Sequence, residues 1–358
     1  MLDYNRLRRQ LLSWFQRHQR DLPWRRTRDP YAIWVSEIML QQTQVGTVIP
    51  YFERFLAAFP TVAALARAQE EDVLRLWEGL GYYRRARHLY QAARQVVAEY
   101  DGAIPKDPDA LRQLPGLGRY SVGAILSLAF DLRLPIVEAN SRRVLCRLFG
   151  YRGDPLRGAG ARWLWQVAEE ILPRRRVGDF NQALMELGAL VCFPAAPRCS
   201  SCPVAKLCVA RQQGLQERIP PRPPSPTMIE MEEVAVVVRR GRRVLLVQRP
   251  AAASRWASMW EFPHGPASRR EPRSSARVLA RELTGVDVDI ERPLLTLRHA
   301  VTRHRIRIDC FSGRYRTGRF QSAFYQQGRW VEPAMLASFP VSAPQRRLAE
   351  TVMDAMLG

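Results

Sequence analysis

Lysine is almost missing from these 358 residues: Lys106 and Lys206 are the only two among 55 basic side chains. A Schiff base needs a lysine amine, so that chemistry has few places to happen. Nearly every cationic contact must come from arginine. Also lacking is any apolar run near the roughly 18 residues that a membrane span needs. The amino terminus, MLDYNRLRRQLLSWF, is charged and amphipathic without the apolar centre of a cleavable secretory signal. A cytoplasmic or nucleoid protein with no membrane partner is expected. Acid is short relative to base: 34 acidic residues leave a net charge of +21, spread along the chain. That balance favours a polyanion, nucleic acid above all, over a merely basic surface.

The length exceeds a typical single core and predicts two domains. Over residues 3–210 apolar side chains recur at three and four positions, with breaks at Pro23, Pro30, Pro60 and two glycine-containing stretches, which predicts an all-helical domain over 1–211. Residues 212–227, QQGLQERIPPRPPSPT, lack periodicity and read as a semi-rigid linker. Beyond them the pattern changes. EVAVVVRRGRRVLLVQRP reads as two strands joined at Gly241, SSARVLARELTG as a helix ending at Gly285, and RHAVTRHRIRIDCF as a strand, which predicts an α+β domain over 228–358.

Three features carry chemistry. Four of the six cysteines, Cys192, Cys199, Cys202 and Cys208, follow the spacing C-x6-C-x2-C-x5-C in a chain without an export signal, as metal or cluster ligands do. Zinc and iron–sulfur centres both accept four thiolates, and the spacing leaves both open. Cys146 and Cys310 read as ordinary small apolar residues. LPGLGRYSVG places Gly116 and Gly118 between two helix-compatible stretches, a turn whose backbone N–H groups beside a helix start can grip a phosphate. Carboxylates stand in unexpected company. Glu37 interrupts the apolar AIWVSEIML, and Gln41 and Gln44 follow at i+4 and i+7, so one helix would align an acid and two amides on one face. In that setting the acid would hold a proton near neutral pH, unless an arginine pairs with it. Glu138, in PIVEANSRRV, could start a helix, pair with Arg142 and Arg143, or work in an active site.

The Gly-x-Gly hairpin, the carboxylate after it and the cysteine loop together resemble the endonuclease III superfamily of DNA glycosylases with its helix-hairpin-helix motif. Within it, WVSEIMLQQTQVGTVIPYFERF, GLGYYRRARHL and FNQALMELGALVC resemble the MutY-type adenine glycosylases. The likeness runs over residues 5–210. The carboxy-terminal VLLVQRPAAASRWASMWEFPHG resembles the family's Nudix-like domain, which inspects the base opposite adenine.

The resemblance implies a 4Fe-4S cluster on the four cysteines, and a bacterial cytoplasmic or nucleoid monomer. The implied substrate is double-stranded DNA holding adenine opposite 8-oxoguanine or guanine. Glu37 would protonate adenine, Glu138 would stabilise the sugar cation and position water, with covalent attack on the sugar as the alternative, and Tyr120 would lie beside them. Gln42 and Tyr82 would wedge into the duplex, Gly116, Gly118 and Asn140 would meet DNA, and Arg25, Gln182 and Thr302 would face bases. Relatives that also cut the strand carry a lysine where this chain has Tyr120, so hydrolysis without lyase cutting is expected. Two departures stand out. The family's LDGN reads VEAN here, a carboxylate about 1.5 Å longer in reach. Its Phe-Ser-His hairpin reads Val301, Thr302, Arg303. RELTGVDVD keeps only the start of a Nudix magnesium motif, so pyrophosphate hydrolysis is not expected. A superfamily relative acting on another mismatch or an oxidised pyrimidine, or a catalytically weak DNA-binding paralogue, are the alternatives.

Overall fold

The computed structural model describes residues 2–221, 227–267, 271–301 and 303–357. Packing divides the chain into two compact units, Met1–Arg67 with His88–Pro224, and Ala68–Arg87 with Ser225–Gly358. The composition-based boundaries differ at two places. Residues 212–221 are not a free connector: Ile219 is buried in the helical core, and its carbonyl accepts from Arg147 Nε at 2.8 Å. Residues 68–87, from within the helical sequence, pack with the carboxy-terminal unit.

The helices, in order, are α1 (Tyr4–His18), α2 (Pro30–Leu40), α3 (Val45–Ala58), α4 (Val62–Arg67), α5 (Glu70–Leu76), α6 (Arg84–Tyr100), α7 (Pro108–Gln113), α8 (Arg119–Phe130), α9 (Ala139–Phe149), α10 (Gly158–Glu170), α11 (Val177–Leu190) and α12 (Val209–Gln212). Helix α2 starts where Asp29 accepts from the Tyr31 and Ala32 N–H groups and Pro30 presets the first turn. Residues Tyr31 through Met39 are all buried, so α2 is a central helix with no solvent face, and Glu37 goes inside with it. Helix α1 lays Leu7, Leu11, Trp14 and Phe15 on a core shared with α9, α10 and α11. Two glycines bring this unit's helices close. A Cβ at Gly123 would stand 2.4 Å from the Pro135 carbonyl oxygen, and one at Gly188 2.5 Å from Asn140 Cβ. The first sets α8 against the segment that leads into α9, and the second sets α11 against the first turn of α9.

In the second unit, β1 (Ile229–Arg240), β2 (Arg243–Gln248), β3 (Trp260–Glu261), β4 (His264–Pro266), β5 (Val286–Val301), β6 (His304–Gly318) and β7 (Gln327–Val331) form a mixed sheet, flanked by α13 (Pro272–Thr284) and α14 (Ala343–Leu357). The central order is β3-β2-β1-β6-β5; β1 and β6 run parallel and the other pairs antiparallel. Strand alternation sorts the core. Val234, Val236 and Val238 join Ala276 and Leu279 of α13, while Ala235 and Val237 join Leu348 and Val352 of α14.

This unit buries a charge network. Arg249 and the Tyr325 hydroxyl donate to Glu261 Oε1 at 2.9 and 2.8 Å. His264 lies 3.2 Å from Glu261 and 3.5 Å from Glu233, and Glu233 also pairs with Arg255 at 3.0 Å. Burial pushes the Glu261 pKa up, but His264 and Arg249 outweigh it and hold the carboxyl below its ordinary range. Residues 68–87 attach through further ion pairs and hydrogen bonds. Trp260 Nε1 and Gln248 Nε2 donate to Glu71 at 2.9 and 3.3 Å, Arg346 grips Glu78 at 2.6 and 2.8 Å, and Arg87 donates to the Ala251 carbonyl at 2.8 Å.

Candidate active site

Glu37 is 4% exposed, and its Oε2 accepts from the Tyr120 hydroxyl at 2.7 Å. Burial pushes its pKa up to about 7, with Glu138 adding to the rise and the Tyr120 hydrogen bond and Arg25 opposing it. An acid so placed is half-protonated near neutrality, where a proton donor is most useful. Tyr120 projects from the first turn of α8, directly after the Gly-x-Gly turn, and its hydroxyl also lies 3.6 Å from Met185 Sδ. Burial, then the neighbouring Glu37, drive its pKa well above the ordinary value, so it stays a donor.

Glu138 caps α9. Its two carboxylate oxygens accept from the Asn140 and Ser141 N–H groups, both at 2.6 Å, and the Ser141 hydroxyl accepts from the Glu138 N–H at 2.9 Å. This is a reciprocal capping box. The extra methylene relative to aspartate folds back onto the helix's own start. No arginine ion pair with Glu138 is present among the described residues, contrary to one of the sequence readings. Arg143 instead donates to the Cys192, Gly188 and Asn140 oxygens at 2.7, 2.7 and 2.8 Å. Being a helix start and standing in a site are compatible here: Glu138 acts electrostatically on both Glu37 and Tyr120.

The expected shared face of Glu37, Gln41 and Gln44 is not formed. Helix α2 stops at Leu40, because Gln41 already turns extended at ψ 111° and Gln42 then adopts a left-handed backbone at φ +57°, and Gln44 caps α3. Gln41 does turn toward α8, donating to Ser121 Oγ at 3.3 Å. Gln42 is exposed, and Tyr82, in the other unit, is 45% exposed at φ +48°. Side chains rarely tolerate that backbone, and it holds both projecting.

Helix α11 presents Gln182, Met185 and Glu186 at helical spacing. Gln182 makes no side-chain hydrogen bond among the described residues. Arg25 is committed to Glu186, donating to both carboxylate oxygens at 3.0 and 2.8 Å, and Arg20 grips the same carboxylate at 3.0 and 2.8 Å. Burial would raise the Glu186 pKa, but the two arginines outweigh it and bring it down to about 2. Arg20, Met185, Glu186 and Ser141 were not singled out from the sequence. For Glu186 the signal was there: an acid in the apolar ALMELGALV, the same cue that marked Glu37.

Gly116 turns at φ +82°, and a Cβ there would stand 2.8 Å from His88 Cβ. Gly118 caps α8 with open space where a Cβ would go, so a ligand can approach the backbone of the helix start. Neither lysine carries an amine into this site's hydrogen bonds: Lys106 lies over the Phe130 ring, 5.0 Å from its centroid, and Lys206 is in the cysteine loop.

Cys192, Cys199, Cys202 and Cys208 line one cavity together with Arg147, Arg198 and Arg211. Arg147 donates to Cys192 Sγ at 3.3 Å and to the Phe193 and Pro194 carbonyls at 2.6 and 3.0 Å. Burial raises the Cys202 thiol to about 12 and the Cys199 and Cys208 thiols above their ordinary value, with the neighbouring cysteines adding to each. Four thiolates there need a cationic centre, and the arginines supply part of the charge. Among the described residues, no three His, Cys, Asp or Glu side chains converge as a site for a single ion. Thr302 lies outside the described residues; among the described ones Val301 of β5 pairs with His304 of β6. No described helix is long and apolar enough to cross a membrane.

Residues 35–170 match the HhH-GPD superfamily base excision DNA repair protein family, and residues 233–351 the NUDIX domain family. The adenine DNA glycosylase of Rattus norvegicus is 45% identical over 280 residues, 76% of this chain and 53% of the rat protein. That of Buchnera aphidicola subsp. Schizaphis graminum is 35% identical over 255 residues, 71% of this chain and 73% of that protein. Among solved structures, a thermostable thymine-DNA glycosylase is 32% identical with a TM-score of 0.55, over 59% of this chain and 97% of that one. The chain spans about half the length of the rodent relatives it matches, 53% of each. The two family matches fall one on each part of the chain, the helical and the sheet-containing, and the chain belongs to the adenine DNA glycosylase family.

Proposed function

We propose that the chain is a monofunctional glycosylase of double-stranded DNA that hydrolyses the N-glycosidic bond of adenine opposite 8-oxoguanine or guanine. The observation that carries this reading is the buried Glu37–Tyr120 pair, poised near pH 7 beside a carboxylate pinned to a helix start. Protonated Glu37 gives its proton to adenine N7. The C1′–N9 electron pair then leaves with the base, and the sugar becomes an oxocarbenium ion. Glu138 faces that cation as a fixed charge: both its oxygens are held by backbone N–H groups, an arrangement suited to electrostatic stabilisation. Water adds to C1′ and returns a proton to Glu37, which restores the acid. Gln182 offers a free amide to the base, while Arg25 acts through Glu186 and its field on Glu37. Tyr120 stands where a lyase would need an amine, so an abasic site is left uncut.

The cavity of four thiols fits a 4Fe-4S cluster, held by Cys192, Cys199, Cys202 and Cys208 with Arg147 beside them. When bound, it would cross-link the loop and fix the far end of α9, whose other end carries Glu138. The carboxy-terminal unit is proposed to read the opposing base through the β5–β6 turn. Its helix α13 carries a single carboxylate, Glu282, which speaks against magnesium-dependent pyrophosphate hydrolysis.

The likeness to a thymine-DNA glycosylase favours a second reading, removal of mismatched thymine. A pyrimidine has no N7, so the proton on Glu37 would need another acceptor. Single-turnover assays on duplexes with A opposite 8-oxoguanine, A opposite G, A opposite T and T opposite G, with and without alkali, separate the two. Adenine release from the first two, with strand breaks only after alkali, is expected. Thymine release without adenine release would overturn the proposal, and breaks without alkali would overturn its monofunctional part. Iron content and visible absorbance of the purified protein test the cluster against zinc.

A further inference from the structure

The loop that carries Tyr82 is built into the carboxy-terminal unit. Its interior is self-braced: Trp77 Nε1 donates to the Gly81 carbonyl at 3.2 Å, and Arg85 donates to the Leu80 and Gly81 carbonyls, both at 3.1 Å. The Arg85 guanidinium also lies over the Trp77 and Tyr82 rings, 5.4 and 5.6 Å from their centroids. The positive φ angles of Gly79, Gly81 and Tyr82 mean that the loop cannot relax into a helix and stay the same shape. Two carboxylates immediately before it are anchored on the sheet unit. Glu71 accepts from Trp260, which is fully buried, and from Gln248; Glu78, four residues before Tyr82, takes Nε and Nη2 of Arg346. Arg346 is in turn fixed by the Leu336 and Phe339 carbonyls at 2.9 and 2.8 Å. A planar, bidentate pair sets direction as well as distance.

We propose that Glu78 and Arg346 are positioning residues for base extrusion. Through them the unit that bears the β5–β6 turn sets the angle at which Tyr82 enters the duplex. Opposing-base reading and wedge insertion would then be acts of one packed body. The inference rests on the proposed role of Tyr82 as a wedge. It gives Glu78 a task that sequence inspection would assign to a solvated helix end.

The test uses the full chain and a duplex in which 2-aminopurine neighbours the target adenine opposite 8-oxoguanine. Its fluorescence rises when the stack opens. Parent, Tyr82→Ala, Glu78→Gln, Glu78→Arg and the swap Glu78→Arg with Arg346→Glu are compared for fluorescence rise, single-turnover rate and melting temperature. Misplacing a group by about 1 Å can cost up to a hundredfold, so losses of about tenfold in rate are expected for both Glu78 variants. Most of the fluorescence rise should vanish with them, as for Tyr82→Ala, and the swap should restore both signals. The proposal is overturned if Glu78→Arg keeps the parental signals while Tyr82→Ala loses them. It is equally overturned if the swap melts like the parent but stays as low as Glu78→Arg. Should the parent open the stack yet release no adenine, the adenine reading fails instead, since the fluorescence reports Tyr82 and not the base removed.

Discussion

Both units bury glutamates, and one from each, Glu261 and Glu37, are treated in opposite ways. Glu261, 1% exposed in the sheet unit, receives Arg249, Tyr325 and His264 and is held as a settled anion. Glu37, 4% exposed in the helical unit, receives one neutral hydroxyl and sits near a second carboxylate, so its proton is undecided near pH 7. Glu186, buried in the same unit as Glu37, is settled like Glu261 by two arginines. Burial of a carboxylate therefore does not mark function. What marks it is burial without a cation to close the account.

Glu37→Gln should break this contrast with the largest effect. Removing a general acid costs about 10²- to 10⁴-fold in single-turnover rate, and the upper end is expected here. Stability should move the other way. The folded pKa, about 7, lies above the unfolded value, so ionising Glu37 costs the folded state about 3 kcal/mol at alkaline pH. That cost is absent below the unfolded pKa and grows as pH rises to the folded one. Melting scans should show Glu37→Gln level with the parent near pH 4 and more stable than it at pH 8. A variant less stable than the parent at pH 8 would contradict the assignment of Glu37 as an uncompensated acid.

Glu138→Gln keeps a side chain able to cap but removes the charge, and a loss of about 10²- to 10³-fold in single-turnover rate is expected. Glu138→Asp keeps both charge and cap and should stay within about tenfold, because a fixed charge falls off only as 1/r. Equal rates for the parent, Gln and Asp forms would deny the site any use of that carboxylate. Glu261→Gln should do what Glu37→Gln does not. It strips a buried histidine and arginine of their counter-charge, costing about 3–5 kcal/mol by denaturant unfolding. The rate per folded molecule should hold. A large rate loss at parental stability would move Glu261 out of the structural class.

Much of this was legible in the sequence, for physical reasons. The Gly-x-Gly turn, the cysteine spacing and an acid inside an apolar run are local signals, and each lies where expected: between α7 and α8, around one cavity, and on α2. Long-range pairing was not legible. Arg25 and Glu186 are 161 positions apart, and neither residue announces the other. Glu71 and Glu78 look like charges on a solvated helix end, yet their partners lie at Trp260, Gln248 and Arg346. The projected face of Glu37, Gln41 and Gln44 failed on the backbone turn at Gln41 and Gln42, which no periodicity encodes. Glu138 was read as a candidate for arginine pairing because two arginines follow it closely. Arg143 is instead spent on the Cys192, Gly188 and Asn140 oxygens, while the Glu138 carboxylate turns back to the N–H groups of its own helix.

The smallest effects are shifts of pH profile, and they test the balance around Glu37 from both sides. A proton donor must be protonated, so the rate should fall as pH rises through about 7. Tyr120→Phe removes a hydrogen bond that favours the carboxylate form. The Glu37 pKa should rise, and the alkaline fall should move to higher pH with the plateau rate changed less than about tenfold. Glu186→Gln acts oppositely. It leaves the Arg25 guanidinium unneutralised; that cation already favours ionised Glu37, and its field is now undiluted by Glu186. The Glu37 pKa should fall and the alkaline limb move to lower pH. Single-turnover profiles of the two variants should thus bracket the parent. If both limbs move the same way, the titrating group behind them is not Glu37, and the contrast between a settled and an unsettled carboxylate loses its functional meaning.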